Sequence, residues 1–263
     1  MNPFLKMKII KTLLTWLTKL VTFIVRNIIR LRYRVTLSGT EVLKTDNAIL
    51  FLPNHQALID PIILISNIYG FKTVLPAISS KYYDFFLFKP FFENWGAIRV
   101  SDLEKGNRDI NVLKDISRAT LKGLRRGKNM VLYPSGQIAN QGYERIANKK
   151  SAHVLVSRLP EKTLVIGVRI HGLWGSMWSK AKTGKSPDFF LQLLKGVFYI
   201  IVNLIFFLPK RKLEIEFVDI TIPARKIALN GRKEFNLYLE QFYNEKGEEH
   251  QLFVPHFFFY RSK

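Results

Sequence analysis

The segment AILFLPNHQALIDPIILISNIYG, residues 48–70, decides how the rest of the chain is read. Ala48 to Leu52 are apolar without a break and stop at Pro53, and a run that short reads as a strand buried on both faces. From Asp60 the signals change. Asp60 is expected as an N-cap, Pro61 takes the first helical position, and Pro61–Tyr69 is a helix closed by Gly70. The strand–loop–helix pattern recurs downstream. Thr73–Ile78, Met130–Tyr133 and Thr163–Ile170 read as strands, and Arg108–Arg126 and Ser151–Arg158 as helices. Leu213–Ile222 is a later alternating strand, and Arg232–Tyr243 is helical. Strands separated by helices predict an α/β fold with a mainly parallel central sheet flanked by helices.

The loop inside that segment carries the chemistry. His55 stands five residues before Asp60, on the turn preceding the helix that Asp60 begins. A carboxylate fixed there can reach back to one imidazole nitrogen, set the tautomer and leave the other nitrogen to take a proton from a hydroxyl. The plainer alternative is a capping Asp60 and an ordinary loop histidine. The chain has no Cys and no Gly-x-Ser-x-Gly elbow, so direct attack by an acceptor hydroxyl is favoured over a covalent enzyme intermediate.

Composition narrows the partner. With 41 Lys and Arg against 20 Asp and Glu, the net charge is +21 over 263 residues, which implies an anionic surface. The cations border apolar runs and form no nucleic-acid reading module, so membrane lipid is expected and nucleic acid is not. Along Ile9–Ile29 and at its two flanks, polar residues recur at steps of three or four, among them Lys8, Lys11, Lys19, Arg26 and Arg30. That pattern makes residues 1–35 an amphipathic membrane-interface helix, with a core-packing helix as the alternative. Residues 36–263 form the remaining domain, including the apolar segment 189–208. This segment is a span, a re-entrant hairpin or a deep interfacial helix, and a monotopic element is favoured. The absence of Cys fits a reducing compartment, and the N-terminus lacks the tripartite signal-peptide pattern. A peripheral or monotopic protein facing the cytoplasm is therefore expected.

Four ordered blocks between residues 50 and 170 resemble the glycerolipid acyltransferase family, which includes lysophosphatidic acid acyltransferases. Asn54, His55 and Asp60 match its Asn-His-x4-Asp block intact. Gly96-Ala97-Ile98-Arg99-Val100-Ser101-Asp102 resembles the second block. Tyr133-Pro134-Ser135-Gly136-Gln137-Ile138 resembles the third, and Val165-Ile166-Gly167-Val168-Arg169-Ile170 the fourth, with Gly in place of a Pro. The resemblance implies an O-acyltransferase with His55 as general base and Asp60 behind it. It also implies acyl-CoA or acyl carrier protein as co-substrate and no permanently bound cofactor.

The departures matter as much. In the family, a Glu and an Arg of the third block and an Arg of the second help bind the acceptor's phosphate; Ser135, Ile138 and Asp102 stand there instead. Asn54, Ser135, Gly136 and Gln137 remain expected substrate contacts, with the Ser135-Gly136 turn offering donors to an oxyanion. Arg99, Arg145 and Arg169 are the replacement cations to consider, each an ordinary surface charge in the alternative. The altered third block resembles divergent bacterial acyltransferases found beside or fused to acyl-activating ligases. This points to the cytoplasmic face of the inner membrane, a ligase as a possible partner, and a lysophospholipid or related lipid as acceptor. Trp174 and Trp178, in the loop after the fourth block, are expected either to line an acyl groove or to pack the apolar run that follows. The cluster around Tyr83, Phe85, Phe86 and Phe88 is groove or core. No metal site is expected from the remaining histidines. A scaffold that binds lipid without catalysis is the alternative function.

Overall fold

The structure, a computed structural model, describes residues 3–86, 89, 92, 93, 97–100 and 110–259. Gly96, Ser101 and Asp102 of the second block, together with Leu87, Phe88, Phe91 and Arg108, lie outside them, as do the side chains of Lys8 and Lys11.

Helix α1 (Pro3–Arg32) runs directly into strand β1 (Tyr33–Ser38). Then come β2 (Ile49–Pro53), α2 (Asp60–Ile68), β3 (Val74–Ser79), a short α3 (Ser80–Tyr83), β4 (Ile98–Val100) and α4 (Ile110–Arg125). The chain continues through β5 (Asn129–Val131), α5 (Ser151–Val156), β6 (Leu164–His171), α6 (Phe189–Val202), β7 (Arg211–Asp219), α7 (Thr221–Leu229) and α8 (Arg232–Tyr243). Among the described residues, seven strands form one sheet in the order β1-β7-β6-β2-β5-β3-β4. Every pairing is parallel except β6 with β7.

β2 explains why the segment 48–70 organises the fold. It pairs with β5 on one side and β6 on the other, and all five of its residues are buried. Because successive side chains alternate across a strand, Ile49 and Phe51 enter the core layer shared with α2, whereas Leu50 and Leu52 enter the layer under α4, α5 and α8. A central strand with helices on both faces has no polar side, which is why its sequence is an unbroken apolar run.

Several elements differ from the reading by periodicity. Asp60 is the first residue of α2 rather than its N-cap: Ile59 occupies the cap position, and the Asp60 carboxylate turns back to the loop. The strand expected to reach Ile222 stops at Asp219. There the Asp219 carboxylate accepts from the Thr221 amide and hydroxyl, and a helix with Pro223 in its first turn begins. The edge strands β1 and β4 had no strong pattern of their own. The run 189–208 is helical only to Val202, and among the described residues no helix is long and apolar enough to cross a membrane.

α1 is inverted relative to a core-packing helix. Thr18, Thr22 and Ile29 face the protein, while Trp16, Phe23 and Ile24 point outward. Its C-terminal end is tied in, because Ile29 and Tyr33 join the core and Arg32 donates to the carbonyls of Pro209, Val254 and Pro255.

Candidate active site

His55 follows the carboxyl end of β2, and its ring meets the carboxylate that opens α2. Nδ1 lies 3.0 Å from Asp60 Oδ2. The same oxygen accepts from the amides of Gln56, at 2.6 Å, and Ala57, at 3.0 Å, so the loop is wrapped around one carboxylate oxygen. Asp60 is fully buried, and His55 keeps a minor exposed fraction. Desolvation raises the Asp60 carboxyl above its ordinary value; hydrogen bonding and charge interaction with His55, then the Ala57 and Gln56 amides, oppose that rise. With an acceptor at Nδ1, the ring's Nε2 is the nitrogen free to take a proton.

A second carboxylate braces the loop from the other side. Glu144 Oε2 accepts the His55 amide at 2.9 Å, and the His55 carbonyl accepts the Ala139 amide at 2.7 Å. Burial raises the Glu144 carboxyl, partly offset by the nearby Ser135 hydroxyl and by the His55 amide. Tyr133 covers the imidazole with ring centroids 4.3 Å apart. Gln56 is held by Glu249, which also accepts the Gly172 amide and lies 3.5 Å from His171 Nδ1. Glu144 and Glu249 are absent from the sequence expectations, and Tyr133 stands there only as the first residue of the third block, with no role at His55. Glu144 lies 89 positions from His55 in the chain, and no local pattern marks it or Glu249.

The other expected residues separate into groups. Asn54 clamps β2's end to β6, donating to the Ile170 carbonyl and accepting the Ile170 amide. Ser135 is buried and donates to the Gln137 carbonyl. Gly136 has φ +63°, and its amide closes the turn onto the Tyr133 carbonyl, so it shapes the turn and its own N–H is already engaged. Gln137 lines a cleft of about 260 Å³ that also includes Arg145 and Lys149. Ala139 shares the wall and its amide bonds the His55 carbonyl, so the cleft adjoins the main chain of the His55 loop, although His55 itself does not line it. Arg99 lies on edge strand β4, three strands from β2, and forks onto Asp84. Arg169 is buried, donates to Glu216, Glu245 and the Phe242 carbonyl, and lies 4.1 Å over the Phe242 ring. Both are committed to protein partners, so Arg145 is the candidate cation left facing open space.

Trp174 and Trp178 are buried, and Trp178 packs on Phe189 at the start of α6, with centroids 5.7 Å apart. The loop bearing them seals the core and supports α6. Gly167 has a reason independent of the site: a Cβ there would lie 2.5 Å from the Phe242 ring.

Comparison with known proteins adds two findings. Residues 34–171, from β1 to the end of β6 and just over half of the chain, match the family model described as Acyltransferase. Eight solved chains match significantly. One is the crystal structure of the 1-acyl-sn-glycerophosphate (LPA) acyltransferase, PlsC, from Thermotoga maritima. The match has a TM-score of 0.55 and 18% identity, and covers 87% of this chain and 78% of that one, a likeness of fold. No curated protein matches significantly.

Proposed function

Since this chain belongs to the acyltransferase family, we propose that it moves a fatty acyl group from acyl-CoA or acyl carrier protein onto a hydroxyl of a lysophospholipid or related lipid. The observation that carries this reading is the 3.0 Å contact between His55 Nδ1 and Asp60 Oδ2 inside the matched segment. His55 Nε2 accepts the acceptor's hydroxyl proton as that oxygen attacks the thioester carbonyl. A C–O bond forms, the tetrahedral oxyanion collapses and the C–S bond breaks. The thiolate then leaves with the proton that the imidazolium returns. Asp60 holds the tautomer and stabilises the imidazolium between the two steps.

The cleft with Arg145 and Lys149 is the proposed seat for the acceptor's anionic headgroup, supplying the cation that Ile138 does not. The outward apolar face of α1 supports a lipid acceptor drawn from a membrane, proposed as the cytoplasmic face of the inner membrane.

The test is to incubate the purified protein with labelled acyl-CoA or acyl carrier protein and a panel of lysolipids, identifying the product by mass. His55→Ala is expected to lower transfer by roughly 10²–10⁴-fold with an unchanged melting temperature. Turnover by that variant equal to the parent's would refute His55 as the base, and lipid binding by the parent with no acylated product from any lysolipid would favour a lipid-binding scaffold.

A further inference from the structure

α6 has no buried residue, yet its surface is apolar, with Leu194, Val197, Phe198 and Ile201 exposed. Its 14 residues span about 21 Å, too short for a ~30 Å hydrocarbon core. Beyond it the chain makes a turn that few sequences adopt. Leu204 and Ile205 have φ of +49° and +68°, a left-handed conformation that is an outlier for a β-branched residue. The turn pushes Leu204, Ile205, Phe206 and Phe207 into solvent, with Phe206 81% exposed, before Leu208 returns to the core.

This strained turn is held in place by a buried latch. Asn203 is fully buried; its amide donates to the carbonyls of Tyr199 and His256, and its oxygen accepts the Phe258 amide. The His256 ring stacks on Tyr199 at 4.4 Å, and Phe207 packs on Phe258. Desolvation first, then the Arg32 charge, holds His256 down to about 4, so the stacked ring is neutral near pH 7. Upstream, Arg211 donates to the Leu252 carbonyl, so the tail is fastened at both ends. Persistent strain supported by dedicated hydrogen bonds points to a functional surface.

Two observations identify the occupant. Between residues 180 and 212 six exposed or half-buried Lys stand against the single acid Asp188, Arg211 being buried, which disfavours a second copy of this face and favours an anionic partner. The sheet supplies the other. α6 connects the carboxyl end of β6 to the antiparallel β7, whose first residues pair at that same end, where His171 registers with Glu214. His55 follows the carboxyl end of β2, parallel to β6, so finger and imidazole share one end of the sheet.

We propose that residues 204–207, latched by Asn203 and the tail 252–259, form a finger that inserts into the interfacial layer of an anionic bilayer and turns the His55 end of the sheet toward lipid. The proposal concerns docking and does not rest on the acyl-transfer reading.

The absence of Cys allows a clean test. Phe206→Cys and, on α7 at the opposite end of the sheet, Leu229→Cys each carry one environment-sensitive dye. Both labelled proteins are mixed with vesicles of phosphatidylcholine and phosphatidylglycerol. The dye at 206 should shift to the blue and be quenched by bromolipid, while that at 229 should not. Vesicle affinity of the Leu204→Glu/Phe206→Glu variant, which spares the latch contact of Phe207, should fall about tenfold or more, its melting temperature unchanged. An unshifted dye at 206, equal shifts at both positions, a concentration-dependent shift without vesicles, or unaltered affinity of the double variant would each overturn the proposal. Vesicle binding is read without substrate, so its failure is separate from a failure of acyl transfer.

Discussion

Asp60 Oδ2 takes three donors at once: the His55 ring and the amides of Gln56 and Ala57. In Asp60→Asn the amide oxygen can still accept the two main-chain donors, but the charge that stabilises an imidazolium is gone. We expect kcat to fall roughly 10²-fold or more, with a small change in melting temperature, measured by steady-state kinetics beside calorimetry. Glu144 gives a pH signature. Burial raises its carboxyl above the ordinary 4.5, so the folded state prefers it protonated. Its contribution to stability is complete below about 4.5 and is lost as pH rises through the elevated folded value. Glu144→Gln should therefore flatten part of the decline in stability above that pH in urea titrations, the remainder coming from Asp60, whose buried carboxyl is raised in the same direction. An Asn-His-x4-Asp spacing makes the first carboxylate legible, because five residues of one loop set the contact. Glu144 is legible only once the 142–147 loop is folded onto α8, where Asn244 and Glu240 hold its backbone.

At the scale of elements, β6 passes so close to α8 that position 167 has no room for a side chain. Gly167→Val should force Phe242 aside and disturb the Arg169 contacts, costing about 1–3 kcal/mol in chemical denaturation. The latch should behave as a local unit. Asn203→Ala removes the partners of Tyr199, His256 and Phe258 and should speed hydrogen exchange in residues 254–259 while leaving β2 and β6 protected. β2, α2 and α8 were legible because periodicity and end signals agree in them. β1 and β4 were not, since an edge strand borrows its order from a neighbour, as β1 does from β7 over Tyr33–Ser38. The apolar character of the run 189–208 was legible, but its break at Asn203 depends on partners more than 50 residues away.

For the whole molecule, the net charge of +21 and the exposed apolar residues of α1 and α6 would give the proposed membrane docking an electrostatic and an apolar component. Raising salt from about 0.1 M to about 1 M shortens the Debye length from ~10 Å to ~3 Å. Binding to phosphatidylglycerol vesicles should weaken steeply over that range yet keep a residual apolar part, measured by co-sedimentation. Loss of all binding would mean that charge alone holds the protein. The parallel strands bring the His55 loop, the Tyr133 ring and the Glu249-bearing tail to one sheet end, although they come from three distant parts of the chain.

By itself the sequence determined the α/β alternation, the buried central strand and the His55–Asp60 pair. Each is set by contacts within about ten residues or by a periodicity that repeats along one element. Only the tertiary structure decided that Arg99 and Arg169 are spent on carboxylates, that Trp174 and Trp178 are sealed inside, and that Glu144 braces the His55 loop. Those outcomes depend on which distant groups reach a side chain first. Burial and pairing are properties of the assembled sheet, and no residue carries them alone.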